Sequence, residues 1–127
     1  MTRSGYRLLI DRETLSVEIA ATEEARRLGL MHRQSLREDA GMLFVFDTPG
    51  FYPFWMHNTH IPLSIAFLSD DSTVLEIQDM TPEDITSLHV AKRPFRYALE
   101  VNQGWFEAHG IVPGMRFSLI ERTDGIR

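Results

Sequence analysis

The sequence has no cysteine among its 127 residues, which excludes disulfides, thiolate metal sites and thiol nucleophiles. The redox state of its compartment stays open, because a chain without cysteine suits the cytosol and the periplasm equally. Lysine is almost absent too: Lys92 is the only one, and the other 12 of the 13 basic residues are arginine. With 18 Asp and Glu, the formal net charge is -5. This charge argues against nucleic acid as the partner, because phosphate binding needs clustered positive charge.

Long apolar segments are also missing. No run approaches the roughly 18 residues that a membrane-spanning helix needs, and the first residues lack the apolar core of a signal peptide. These features predict no membrane span and, for the chain as written, a cytoplasmic location. A periplasmic or envelope location is expected instead if an export signal has been removed. No repeat or linker-like segment divides the sequence, so its length predicts one domain over residues 1–127 and leaves the oligomeric state open.

Alternating apolar and polar residues predict strands over most of the chain. Leu15, Val17 and Ile19 alternate with polar neighbours, the pattern of a strand with one buried face, and residues 6–10 are expected to pair with it. The further predicted strands are 42–46, 51–56, 64–68, 74–80, 97–102 and 115–123. This number of short strands predicts a mainly β fold, a single-domain antiparallel β-sandwich or barrel of jelly-roll type with two or three short helices.

The helix signals are few and local. Thr22 can cap a helix over residues 22–28, and Gly29 can end it. Ser35 and Glu38 have the spacing of a capping box, which predicts a single helical turn before Asp39. A further turn of helix is expected over residues 104–109.

The segment 51–65, FYPFWMHNTHIPLSI, holds the densest set of candidate functional residues. One interpretation is structural, with aromatic side chains in the core and Asn58 in a turn. The functional interpretation is that Trp55 forms the floor of a concave site with His57, Asn58 and His60 at its rim. Because positions three apart on a strand face opposite sides, His57 and His60 do not by themselves predict a metal site. No metal and no cofactor is expected.

Two further features, Ser64 with its candidate triad partners and Glu100, each allow more than one interpretation. Ser64 with His57 and an acid such as Asp79 or Glu100 has the composition of a hydrolase triad, but it lacks the sharp turn that exposes a nucleophile in one large hydrolase class. Glu100 interrupts the apolar run 97–101. Either its strand face is exposed, or its charge is buried and needs a partner. The expected partners in that case are Arg33, Arg96 and His32.

Several motifs resemble a family known as domain of unknown function 192. They are GLMHR at 29–33, GMLFVF at 41–46, FWMHNTHIPLSI at 54–65, ALEVNQG at 98–104 and GIVPG at 110–114. The resemblance covers about residues 17–117 and implies a β-rich, sandwich-like domain, but no activity, because the family is uncharacterised. Its pattern usually has Lys at the position of His57 and Asp at those of Ser64 and Met115. These departures weaken an enzymatic interpretation here, and the export signals that members often carry favour an envelope location.

The leading hypothesis is a non-catalytic binding or accessory domain for a small polar ligand, such as a sugar, or for a protein partner or short peptide. Its expected ligand-binding residues are Arg33, Trp55, His57, Asn58, His60 and Glu100. One alternative is a hydrolase that uses His57 with Ser64 or Glu100. The other is a nucleic-acid-binding regulator, against which the negative charge and the missing helix-turn-helix pattern argue.

Overall fold

Residues 2–122, which the computed structural model describes, form seven strands and two short helices. In chain order these are β1 (Arg3–Ile10), β2 (Glu13–Ala20), α1 (Glu23–Leu28), β3 (Ala40–Gly50), β4 (Leu63–Leu68), β5 (Val74–Met80), β6 (Phe95–Asn102), α2 (Trp105–Ala108) and β7 (Ser118–Arg122). The mainly β fold that the sequence predicts is confirmed. Thr123, the predicted end of the last strand, lies outside the described residues. Neither of the described helices is long and apolar enough to cross a membrane.

The strands form one curled sheet in the order β5-β4-β6-β3-β2-β1-β7. Every neighbouring pair is antiparallel except β2 and β3, which run parallel. Parallel neighbours need a crossover connection, and the segment that contains α1 supplies it. The curl brings the two edges together, because Val74 N–H donates to the Met115 carbonyl at 2.7 Å and Phe117 N–H to that of Ser72 at 2.9 Å. The result is a half-barrel.

Both faces of the sheet are covered, because successive side chains of a strand point to opposite sides. The inner face carries Leu43, Leu99 and Val101, and α2 packs on it through Trp105 and Phe106. The outer face carries a second apolar cluster, over which α1 and the long loops lie. Its members include Ala25, Leu30, Met42, Phe44, Met56, Ile61, Ile65 and Phe95.

The sequence signals around α1 are confirmed. The Thr22 side chain accepts a hydrogen bond from the Ala25 N–H at 3.0 Å, which satisfies one free donor of the first turn. Gly29 ends the helix with φ +50°, a conformation that glycine adopts without steric cost. The predicted helical turn between Ser35 and Glu38 is wrong, because this segment is irregular up to a turn at Glu38 and Asp39. Exposed Ser35 has no helix to cap.

The strand predicted over residues 51–56 is also wrong. Only one isolated bridge forms there, between Phe54 and His89, and Pro53 has no N–H to donate to a longer ladder. The segment instead lies across the outer face, where Phe54 packs edge-on against Phe44 with 5.1 Å between ring centroids. The aromatic run is therefore a covering layer of the sheet.

Candidate functional site

A groove on the outer face lies between α1 and the aromatic segment 52–55. Its volume is about 460 Å³. The lining residues are Glu23, Arg26, Arg27, Phe46, Tyr52, Pro53, Phe54 and Trp55. We call it the aromatic groove. Tyr52 is stacked on Phe46, with ring centroids 3.8 Å apart and planes within 3°, so this part of the wall is a rigid aromatic pair. Trp55 is different, because 51% of its surface is exposed.

The charged wall of the groove comes from α1. Arg26 is fixed in place, because its Nη1 donates to the Ala21 carbonyl at 2.7 Å and to the Val45 carbonyl at 2.8 Å. Its guanidinium also lies 5.0 Å from the centre of the Phe46 ring. Arg27 and Glu23 form a loose pair at 3.7 Å, with both side chains largely exposed. Such a pair is worth little energy, so both groups are available to a ligand.

Two sequence-predicted residues extend this site beyond Trp55. The His57 ring lies 4.9 Å from the Trp55 ring and is tilted by 31°. His57 Nε2 is 3.1 Å from Asn58 Nδ2, and the Asn58 carbonyl accepts a hydrogen bond from the His32 N–H at 2.8 Å. Asn58 and His32 both have positive φ, at 53° and 70°. The loop after α1 and the loop after the aromatic segment are thus joined at the backbone.

The other predicted site residues lie in separate pairs. His60 contacts Glu83 through its Nδ1, and no contact with His57 is seen. Within residues 2–122, no group of three or more His, Asp or Glu side chains is arranged to hold a metal ion. Arg33 makes two hydrogen bonds to the Glu18 carboxylate, at 2.5 and 2.8 Å. These bonds lower the pKa of Glu18, against an opposing effect of burial.

Glu100 is buried, with 6% of its surface exposed. It lies on the outer face between Met42 of β3 and Ile65 of β4. No ion pair joins Glu100 to any of the three partners expected for it. Arg33 binds Glu18, Arg96 binds Asp70 and the Phe46 carbonyl, and the backbone N–H of His32 donates to the Asn58 carbonyl. Burial alone raises the pKa of Glu100 to about 8. The side chain is therefore a neutral carboxylic acid at neutral pH, which avoids the cost of an unpaired buried charge.

Ser64 lies on the opposite face from Glu100, because Val101 is its partner on β6. It is fully buried, donates to Asp79 at 2.7 Å and accepts from the Gly104 N–H at 3.1 Å. The Ser64–Asp79 pair is a structural link between β4, β5 and the start of α2. The structure does not bring Ser64 together with His57 or Glu100.

Sequence reasoning missed the charged wall of the groove. Thr22 and Gly29 predict α1, but nothing in its own sequence shows that it packs beside residues 52–55. That placement follows from the parallel pairing of β2 and β3, which carries the chain across the outer face.

The family model of domain of unknown function 192, described as an uncharacterized ACR, matches residues 7–119. The chain belongs to this family. The resemblance seen in the motifs is confirmed, and the family brings no assigned activity with it. No curated protein matches this family member significantly.

Two solved structures are similar to this member of the family over most of its length. One, from Sinorhizobium meliloti 1021, is described as a proposed transcription regulator. It has 30% sequence identity and a TM-score of 0.89, and the match covers 94% of this chain and 96% of that one. The other is a protein of unknown function from Novosphingobium aromaticivorans DSM 12444. It has 32% identity and a TM-score of 0.84, with 88% and 83% covered.

Proposed function

We propose that this family member is a non-catalytic binding domain that takes a small polar ligand of the sugar class in the aromatic groove. The exposed Trp55 ring supports this proposal most directly, because it faces a groove whose other side carries the loose Glu23–Arg27 pair. An exposed aromatic ring beside unengaged polar groups is typical of ligand sites.

The chemistry of the groove suits a sugar. A pyranose ring has an apolar C–H face that can pack on an indole, and a rim of hydroxyl groups that both donate and accept hydrogen bonds. The Glu23 carboxylate accepts and the Arg27 guanidinium donates. Because Arg26 is already bound to two carbonyls, we assign it to holding the groove open and not to the ligand.

Tryptophan fluorescence offers a direct test with a panel of mono- and oligosaccharides. Trp105 is buried and stacked on His109, so a sugar-dependent change reports Trp55. We expect Trp55→Ala to weaken binding by about tenfold or more, measured by calorimetry, because the stacking surface is lost. Trp55→Phe should retain part of the affinity.

Phe51→Ala is the matched control. Phe51 is 56% exposed and precedes the groove-lining residues without lining the groove, so its removal should leave affinity unchanged. Equal losses in the Phe51 and Trp55 variants would contradict the proposal, and so would the absence of binding across the panel. Binding of short peptides in place of sugars, with the same dependence on Trp55, would overturn the ligand class while locating the site.

The two alternatives have less support. A hydrolase with His57 and Ser64 lacks its central contact, since Ser64 is bound to Asp79 and Gly104. The regulator interpretation rests on the description of the Sinorhizobium meliloti protein. Among the described residues, the two helices have six and four residues and lie far apart in sequence, which does not form the closely linked helix pair of a helix-turn-helix.

A further inference from the structure

A second cavity lies on the inner face of the sheet, on the opposite side from the aromatic groove. Its volume is about 290 Å³. Its walls come from several strands and are mainly apolar, with Leu8, Leu43, Leu68 and Phe117 all buried in the inner core. The hydrogen bonds of Phe117 to Ser72 and of Val74 to Met115 close the sheet beside it. The cavity thus lies inside the curl of the sheet.

The cavity reaches solvent at two of its lining residues, Arg3 and Leu119, which are both exposed. Arg3, at the exposed start of β1, is the only charged residue among the described residues that line it. Its guanidinium lies 5.9 Å from the centre of the Tyr6 ring. An apolar interior with one cation at its mouth matches an amphiphile with a negatively charged head.

We propose that this cavity binds a free medium-chain fatty carboxylate, with its alkyl chain among Leu8, Leu43 and Leu68 and its carboxylate at Arg3. The volume supports this ligand: an engineered apolar cavity of about 150 Å³ already holds benzene, and this cavity is about twice as large. Closed β-barrels of about eight strands can hold one small ligand in their interior. The guanidinium provides a fork of donors for the carboxylate oxygens.

Octanoate below its micellar concentration is the probe, compared with octan-1-ol and octyltrimethylammonium. Methyl NMR should show shifts at Leu8, Leu43 and Leu68. The backbone amide signals of the non-proline residues that line the aromatic groove should not shift. Octanoate should bind about tenfold more tightly than octan-1-ol, and more tightly still than the cation, because only the carboxylate pairs with Arg3.

Arg3→Glu tests the head-group contact. We expect Arg3→Glu to weaken octanoate binding about tenfold or more and to leave octan-1-ol binding unchanged. Arg3→Lys keeps the positive charge and should retain most of the affinity for octanoate. Arg12→Glu, an exposed charge reversal in the turn at the other end of β1, is the matched control for net charge.

Three results would overturn the proposal. The first is no methyl shift with octanoate, and the second is shifts confined to the aromatic groove. The third is equal binding of the acid, the alcohol and the cation, which would show unspecific detergent binding. Equal effects of Arg3→Glu and Arg12→Glu would likewise remove the assigned role of Arg3. None of these outcomes bears on sugar binding at Trp55, since the two sites lie on opposite faces of the sheet.

Discussion

Glu100 is a carboxylic acid buried in the outer apolar cluster between Met42 and Ile65. No charged partner for it is seen among the described residues, and burial raises its pKa from 4.5 to about 8. Between these two pH values the folded chain binds a proton that the unfolded chain has released. Stability must therefore fall as the pH rises through this interval, and the fall ends once the folded form is also ionised.

Replacing Glu100 by Gln should remove this dependence. The amide is neutral at every pH and nearly isosteric with the acid. We therefore expect the folding equilibrium constant of wild type to fall, relative to that of Glu100→Gln, by up to about tenfold per pH unit between about pH 5 and 8. Urea unfolding of both proteins across that range measures the difference. Parallel stability profiles would show that Glu100 is not buried as an acid.

Glu18 contributes to the loss of stability at acidic pH. Its pKa is lowered mainly by the hydrogen bonds from Arg33, so the stabilisation is present above pH 4.5 and is lost as the pH falls through the lowered value. This pair was not predicted, because Glu18 and Arg33 are 15 positions apart. The burial of Glu100 was also not predicted. The pattern of apolar and polar residues along β6 shows which residues share a face, but it does not show whether that face is covered by other parts of the chain.

At the scale of elements, α1 is the best-predicted part of the chain, because its signals are local. Its N-cap, its acidic first turn and its terminal glycine all lie within eight residues. The segment 51–56 shows the opposite case. Its aromatic residues favour a strand by composition, but Pro53 and the lack of a neighbouring edge leave one bridge, between Phe54 and His89. Local pattern could not reveal that these rings cover the sheet.

The cap of α1 provides a prediction at this scale. Thr22→Ala removes the acceptor for the Ala25 N–H and should destabilise the protein by about 1 kcal/mol in urea unfolding. Because α1 forms one wall of the aromatic groove, ligand affinity should fall with it.

Ser35→Ala serves as the comparison for this prediction. Ser35 has similar sequence signals but caps no helix, so this variant should stay within about 0.5 kcal/mol of wild type. A larger loss in the Ser35 variant than in the Thr22 variant would contradict the assignment of the cap.

On the scale of the whole molecule, the strand content and mainly β class were predictable, but the strand order was not. The order depends on the parallel pairing of β2 with β3 and on the pairing of β1 with β7 across the length of the chain. No local sequence pattern predicts either pairing. The aromatic groove was not predictable for the same reason, because its two walls are brought together only by the crossover after β2.

Phe117 lies where the curl closes: its side chain is buried in the inner core, and its backbone N–H donates to the Ser72 carbonyl. Phe117→Ala should cost about 3–5 kcal/mol in urea unfolding, the range for a buried Phe. Phe51→Ala removes the same side chain from an exposed position and should change stability by less than about 0.5 kcal/mol. Similar losses in the two variants would contradict the burial of the Phe117 side chain in the inner core.

The pairing of β1 with β7 also concerns synthesis on the ribosome. β1 has one antiparallel partner, β2, as soon as the first hairpin has emerged, but its other edge stays unpaired until β7 is made. An unpaired strand edge is a template for association with other chains. The nascent chain therefore carries an open edge from the emergence of the first hairpin until β7 has left the exit tunnel, and chaperone demand should be highest in this interval.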